Sequence, residues 1–151
     1  MKNGIRFVQD AEQEMWYKWI APKRSTKNSA GYDFFAPYQF SIPAHGSIVI
    51  NTHTKAVMPP NVVLMLYPRS GLGFKYGVGL ANTVGVIDSD YYSDDPGKGV
   101  IHVKLCNPTD DDILIEEGKA YCQGIFTQFL VTDDDAASGD RNGNGFGSTD
   151  R

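Results

Sequence analysis

The sequence has few cysteines and little basic charge. The first argues against a metal site built from cysteine and histidine, and the second against a nucleic-acid-binding surface. Its two cysteines, Cys106 and Cys122, form no CxxC pair and have no metal-ligand spacing with the histidines. Lone thiols indicate a reducing compartment, and we expect both in the core. The net charge of −4 argues against non-specific nucleic-acid binding, which needs a basic face. A small phosphorylated ligand in a local basic pocket remains compatible with it.

Long apolar runs are also lacking. The longest covers residues 62–67, which is too short to span a bilayer. Residues 1–20 do not contain the apolar stretch of a signal peptide. We therefore expect a soluble, cytoplasmic protein that does not interact with membranes.

Several familiar catalytic motifs are missing as well. There is no GxxxxGK[ST] loop, which excludes a P-loop NTPase. HExxH, GxSxG and the HxE…PCxxC pattern of zinc deaminases are absent too. The chemistry must therefore come from other segments.

What is present fits one all-β domain. The chain has 151 residues and is 41% hydrophobic, enough for a core but not for a second domain. Short β-rich runs alternate with Gly/Pro turns, which is typical of a sandwich, jelly roll or barrel. We predict strands at 40–42, 48–50, 62–67, 84–87, 100–105, 113–115 and 121–131. Residues 70–76 favour a short helix, whereas 8–19 have poor helical spacing.

The C-terminal stretch differs in composition from the rest. Residues 133–151 are rich in Asp, Gly, Ser and Asn around a single aromatic, Phe146. Such a segment cannot bury itself, and it predicts a mobile arm after a domain of residues 1–132. A lone phenylalanine in this setting is explained if it docks elsewhere.

Five segments combine charged, hydroxyl and glycine residues in ways that could bind an anion or activate water. They read SAGYD at 29–33, PRSGLGFKYG at 68–77, GVIDSDY at 85–91, a glycine-led strand with Gln123, and RNGNGFGST at 141–149. Taken singly, each also fits a plain turn, loop, edge strand or tail. In the third segment, Asp88 and Asp90 are two residues apart, so in a strand they would share a face.

Together and in this order, the five segments resemble the motifs of the trimeric dUTPase family, from Ala30 to Thr149. The resemblance implies an all-β distorted jelly-roll (β-clip) barrel with a flexible C-terminal arm. It also implies a homotrimer in which each active site draws residues from all chains. The implied reaction is hydrolysis of dUTP to dUMP and pyrophosphate, which limits uracil incorporation into DNA and supplies dUMP for thymidylate synthesis.

The resemblance also assigns residue roles. Asp88 corresponds to the general base that activates the water attacking the α-phosphorus, since an aspartate is ionised at pH 7. Asp33 corresponds to the carboxylate that contacts Mg²⁺ through water. The substrate contacts implied by the family fall on Arg69, Ser70, Gly71, Asn82, Gly85, Ile87, Tyr91, Gln123, Arg141, Phe146, Gly147, Ser148 and Thr149.

Among these, Asn82 and the 85–91 hairpin would read uracil, and Tyr91 would pack against deoxyribose and exclude a 2′-hydroxyl. Phe146 would cover the base. Arg69 would support the phosphate site, from a neighbouring chain in one arrangement.

The chain also departs from the family pattern. Ala120 stands where an arginine is usual, and residues 93–98 are an insertion after the third motif. With no apolar side chain to bury, this loop is expected to be dispensable for folding and is a candidate site for a protein partner. Two alternatives stay open: a dCTP deaminase of the same superfamily, and a regulatory binding protein with the dUTPase fold.

Overall fold

The computed structural model describes residues 4–11, 18–139 and 143–145. Arg141, Phe146, Gly147, Ser148 and Thr149, all predicted substrate contacts, lie outside these ranges. Within them the chain forms twelve strands, a short helix and a 3-10 turn at Ser89–Tyr91. The elements are β1 (Arg6–Gln9), β2 (Lys23–Arg24), β3 (Tyr32–Phe35), β4 (Phe40–Ile42), β5 (Ser47–Asn51), β6 (Thr54–Val57), β7 (Val62–Pro68), α1 (Ser70–Tyr76), β8 (Gly79–Leu80), β9 (Gly85–Ile87), β10 (His102–Cys106), β11 (Ile113–Ile115) and β12 (Ala120–Gln128).

The largest sheet among the described residues carries most of the predicted site. Its order is β2-β3-β12-β7-β9, and its neighbouring strands are antiparallel. Three smaller sheets, β5-β10-β8, β1-β6 and β11-β4, complete the fold. The long strand β7 is an interior strand of this sheet, because β12 lies on one side of it and the edge strand β9 on the other. The predicted all-β class is therefore confirmed.

The predicted elements agree with this architecture where the apolar pattern was clear. The strands at 40–42 and 113–115 have the predicted bounds, and α1 occupies 70–76 as expected. In β10, Val103 and Leu105 are buried while Lys104 is exposed, which confirms the alternating pattern. Of the weakly helical stretch at 8–19, Val8 and Gln9 instead belong to β1, and 12–17 lie outside the described residues.

Five strands were not predicted: β1, β2, β3, β6 and β8. They are at most four residues long, and β3 places adjacent residues Asp33 and Phe34 both in the interior. A strand buried on both sides shows no alternation, so its sequence carries no period-2 signal.

The core confirms one of the two expectations about cysteine. Cys122 is fully buried, and burial raises the pKa of its thiol well above the usual range. Cys106 is only half-buried, and both thiols are free. Within the described ranges, no helix has the length and apolar character needed to cross a membrane.

The loop at 93–98 is held by a buried ion pair. Lys55 and Asp10, whose side chains are only 5% and 2% exposed, lie 3.1 Å apart from Nζ to Oδ1. The same ammonium donates to the carbonyl oxygens of Ser93 at 3.1 Å and Asp95 at 2.6 Å. Gly97 N–H donates to Asp10 Oδ1 at 3.1 Å. The expectation of a dispensable loop is therefore revised: it lacks apolar side chains, but its backbone satisfies a buried charge.

Candidate active site

A pocket of about 250 Å³ opens beside the third motif. It is formed where β9 and the turn before it meet β10. Its lining residues are Leu66, Leu80, Asn82, Gly85, Val86, Ile87, Tyr91, His102, Val103, Lys104 and Gly145. Four predicted uracil and sugar contacts, Asn82, Gly85, Ile87 and Tyr91, are thus brought together. A space of this size is below the usual range for drug-sized ligands, about 300–1,000 Å³, and it suits one nucleoside better than a whole triphosphate.

The turn that leads into β9 is tight and strained. Thr83 N–H donates to Leu80 O at 3.0 Å, and Val84 N–H donates to Asn82 O at 2.7 Å. Thr83 has a φ of 66°, a left-handed conformation that a β-branched residue rarely adopts. Such strain persists only where the surroundings enforce it, and it is concentrated at functional sites.

Tyr91 forms a fixed wall of this pocket. The residue is 9% exposed, and its hydroxyl donates to Val100 O at 2.7 Å. Gly145 lies against the ring: a methyl group there would come within 2.8 Å of Tyr91 Cε2. The ring is therefore held from two sides, by the hydrogen bond and by the C-terminal segment.

Asp88 follows directly after β9 and stands at the entrance to the 3-10 turn Ser89–Tyr91. It is half-buried, whereas Asp90 is exposed. The argument that Asp88 and Asp90 share a strand face was wrong, because the strand ends at Ile87 and the chain tightens into the turn. The turn separates the environments of the two carboxylates, which agrees with different roles.

A second group of predicted residues gathers at the other end of β7. Arg69 Nε lies 3.2 Å from Asp33 Oδ1, and the Asp33 side chain is 10% exposed. Ser25 donates its hydroxyl to Asp33 Oδ2 at 2.5 Å. Beside Asp33 in the sheet, Gln123 donates to Pro68 O at 3.2 Å. Arg69 thus finds a carboxylate in its own chain.

Gly31 and α1 complete this second group. A methyl group on Gly31 would come within 2.3 Å of Gln123 Oε1, so the glycine of the first motif makes room for the glutamine of the fourth. Ser70 and Gly71 are exposed in the first turn of α1, where backbone N–H groups have no intrahelical acceptor. Their position beside Arg69 places donors and a cation at one edge.

The two groups are far apart within one chain. Ile87, next to Asp88, pairs with Leu64 in β7, whereas Arg69 follows the far end of that strand. Arg69 is five steps along the extended chain from Leu64, which corresponds to about 17 Å at 3.3–3.4 Å per step. One copy of the described chain does not bring Asp88 to the Arg69 group.

Several residues at these sites were not predicted. Ser25 donates to the carboxylate of Asp33, and Thr83 forms the turn before β9. The pocket is also lined by His102, Lys104 and Gly145. The alternation of residues 100–105 identified one face with His102 and Lys104, but nothing local showed that this face borders the 85–91 segment. A threonine gives no signal for positive φ, because its propensity opposes it.

The described part of the protein offers few side chains as metal ligands. Among the described residues, no group of three or more His, Cys, Asp or Glu side chains is arranged to hold a metal ion. Asp33 supplies one hard carboxylate already shared with Arg69 and Ser25. This donor set fits Mg²⁺, which usually keeps several waters and binds through one or two carboxylates plus substrate phosphates.

Comparison with known proteins agrees with this geometry. The dUTPase family model matches residues 17–150. Deoxyuridine 5'-triphosphate nucleotidohydrolase of Lactococcus lactis is 42% identical over 129 residues, covering 85% of this chain and 86% of that protein. The crystal structure of Streptococcus mutans dUTPase superimposes with a TM-score of 0.74 at 35% identity, covering 85% of this chain and 98% of that one.

A more distant structure shares the fold. A variant dUTPase from phage phi11 of S. aureus, described as revealing how a structural Mg(II) ion is coordinated, is 17% identical with a TM-score of 0.65. It covers 91% of this chain and 98% of that one. The family match spans nearly the whole chain, and the fold is the jelly-roll barrel of its structural neighbours. The chain therefore belongs to the dUTPase family.

Proposed function

We propose that this protein hydrolyses dUTP to dUMP and pyrophosphate. The observation that carries the proposal is the pocket formed by Asn82, Gly85, Ile87 and Tyr91, with Asp88 following β9 directly. The family membership supports the same activity. No second function is favoured by a specific feature of the described residues.

Uracil would be selected by the backbone of the 85–91 hairpin together with Asn82. Backbone carbonyl and N–H groups can accept from uracil N3–H and donate to O4. Cytosine presents the opposite pattern and would leave buried groups unpaired, which is a strong basis for discrimination. A tight 85–91 hairpin would also leave no space for the thymine methyl group.

Asp88 would act as the general base. In the proposed step, its carboxylate accepts a proton from a water whose oxygen forms a bond to the α-phosphorus. The bond between the α-phosphorus and the oxygen bridging to the β-phosphorus breaks, and pyrophosphate leaves with that electron pair. Asp88 lies at the junction between β9 and the 3-10 turn. This position supports the role, because the backbone on both sides restricts where the side chain can place its carboxylate.

The second group would hold the triphosphate and its metal. Ser70, Gly71 and Gln123 would contact phosphate oxygens, and Arg69 would support them. Asp33 would contact the water shell of Mg²⁺. Held there, Mg²⁺ would supply positive charge to offset the negative charge of the phosphates in the transition state. The structural Mg(II) described for the phage phi11 enzyme is compatible with metal use in this fold.

A homotrimer with shared sites would unite the two groups. Asp88 and Arg69 lie near opposite ends of β7. A complete site therefore requires that one copy supply the 85–91 hairpin and another copy supply the phosphate-binding residues around Arg69. Exposed apolar side chains are available for such contacts, with Phe129 42% and Leu130 97% exposed after β12. Light scattering that showed a monomer at micromolar concentration would contradict shared sites.

The C-terminal arm would close over the substrate. Phe146 would cover the uracil ring, and Arg141, Gly147, Ser148 and Thr149 would contact the phosphates and the base edge. Gly145 already lines the pocket, which supports this placement. Cytoplasmic localisation and a protein partner at 93–98 stay predictions of the sequence.

Pyrophosphate release from dUTP tests the function directly. A coupled pyrophosphatase assay with Mg²⁺ should give turnover with dUTP and little with dCTP, dTTP or UTP. Chelation with EDTA should suppress that turnover. Equal turnover of dCTP, or release of ammonia from it, would favour the deaminase alternative. Tight dUTP binding without turnover would favour a regulatory protein.

A further inference from the structure

The loop of residues 93–98 has contacts on two sides. On one side, the buried Lys55–Asp10 pair holds the carbonyl groups of Ser93 and Asp95 and the N–H of Gly97. On the other side lies Gly143 of the C-terminal segment, so close that a methyl group on it would come within 2.7 Å of Ser93 Cβ. The loop therefore connects the interior of the domain with the arm.

Gly143 fits against the loop only as glycine. Its two backbone hydrogen bonds go to residues that flank the loop: its N–H donates to Asp90 O, and its carbonyl accepts from Gly99 N–H, both at 3.3 Å. A methyl group at Gly143 would lie 2.7 Å from Ser93 Cβ and 3.4 Å from Lys98 Cβ. Its φ of 76° is in the left-handed region, which other residues adopt at a cost.

Two residues after Gly143, the chain reaches the pocket. Gly145 lies against the ring of Tyr91 and lines the pocket. Gly145 immediately precedes Phe146 in the chain. An arm fixed at Gly143 thus reaches the mouth of the pocket within two residues.

We infer that loop 93–98 is the docking platform for the C-terminal arm and that Lys55 is a positioning residue acting through this loop. The inference deepens the proposed arm closure and rests on it for its effect on activity. The buried ammonium fixes two loop carbonyls, the fixed loop receives Gly143, and Gly143 directs the arm to the pocket. The insertion is therefore part of the active-site architecture.

A matched pair of glycine variants separates docking from backbone strain. Gly143→Ala introduces both the left-handed strain and the collision with Ser93. Gly118→Ala introduces the same strain, at a φ of 74°, with no atom within 4 Å of the added methyl group. Misplacement of a positioning element is typically costly, so Gly143→Ala should lower kcat/KM for dUTP about tenfold or more. Gly118→Ala should leave it near the wild-type value.

Trypsin cleavage after Arg141 reports docking without reference to catalysis. A protease must bind the residues that flank the bond it cuts, and Gly143 is one of them. Cleavage should therefore require Gly143 to leave the platform, and its rate should follow the population of the undocked state. Losing one or two hydrogen bonds of this contact should speed release of residues 142–151 about fivefold. Gly143→Ala should show this acceleration in the absence of nucleotide, and Gly118→Ala should not.

A double variant tests Lys55. Lys55→Met combined with Asp10→Asn removes both buried charges together and leaves an oxygen for the N–H of Gly97, which avoids an uncompensated charge. With folding verified by circular dichroism, faster cleavage after Arg141 and a lower kcat/KM are expected. Should this variant fail to fold, the glycine pair still decides whether the loop is the platform.

The outcomes are distinguishable. Wild-type rates of cleavage and turnover in Gly143→Ala would overturn the platform, as would equal effects in Gly118→Ala. Deletion of residues 140–151 tests arm closure separately, and full activity of that variant would refute the closure. The cleavage assay on the full-length chain would still measure whether the arm docks on the loop. Loss of activity on deletion with a silent Gly143→Ala would refute the platform alone.

Discussion

The hydroxyl of Tyr91 donates a hydrogen bond to the carbonyl oxygen of Val100 at 2.7 Å. This bond joins the 3-10 turn of the third motif to the chain that enters β10. It fixes the aromatic ring as a wall of the pocket, so the ring cannot readily move aside for a larger sugar.

Tyr91 should enforce the deoxy sugar. Tyr91→Ala should narrow the ratio of kcat/KM for dUTP over UTP, because a 2′-hydroxyl no longer meets a packed ring. Tyr91→Phe keeps the ring and should keep the ratio, while losing roughly 1 kcal/mol of stability with the hydrogen bond. Steady-state kinetics with both nucleotides, together with urea unfolding, measure these effects. An unchanged ratio in Tyr91→Ala would assign the discrimination elsewhere.

Asp88 should carry general-base catalysis. Asp88→Asn keeps the size of the side chain but removes its ability to accept the proton from water. General-base catalysis is typically worth about 10²–10⁴ in rate, and kcat should fall by that factor while dUTP·Mg²⁺ still binds. Asp90→Asn is the control, since Asp90 is exposed in the adjacent turn. A fall of less than about tenfold, below the usual range, or a larger loss in the control, would reverse the assignment.

Tyr121 offers a stability test within the core. Its side chain is fully buried, and no partner for its hydroxyl lies among the described parts of the chain. Burial also raises the pKa of this phenol well above the usual range. Tyr121→Phe removes a polar group that gains nothing in the interior, so stability should be unchanged or rise by about 1 kcal/mol. A clear loss in urea unfolding would reveal a partner such as a buried water.

His53 should make stability depend on pH. It is 4% exposed, and burial lowers its pKa below the ordinary 6.5; the nearby Asp10 opposes this shift and His102 adds to it. The folded state therefore favours neutral His53. Its contribution is present above pH 6.5 and is lost as the pH falls from there through the lowered pKa.

The measurement is the urea midpoint across pH 5 to 8. His53→Asn removes the titration and suits the φ of 52°, which asparagine tolerates better than most residues. The wild-type midpoint should fall towards pH 5, and the variant should show a shallower slope. Parallel curves would place the acid sensitivity on other groups.

Local pattern was sufficient for much of the fold. Strand β10 could be predicted because its residues alternate between the buried core and the exposed surface. Helix α1 lies in the segment 70–76, where the sequence favoured a short helix. The family resemblance added the ordered motifs, whose hairpin residues the structure then gathered in one pocket. The doubly buried strand β3 escaped because its two interior neighbours, Asp33 and Phe34, break the alternation.

By itself, the sequence determined the all-β class and the short helix, since these depend on neighbouring residues, and it carried the ordered motifs to which the chemistry is assigned by family resemblance. Only the tertiary structure decided that Arg69 pairs with Asp33, that Thr83 is strained, and that Asp10 meets Gly97 from 87 positions away. Such contacts depend on how strands pair across the whole chain. No local propensity encodes them, because the free energy of a buried ion pair or a docked loop arises only when distant segments exclude water together.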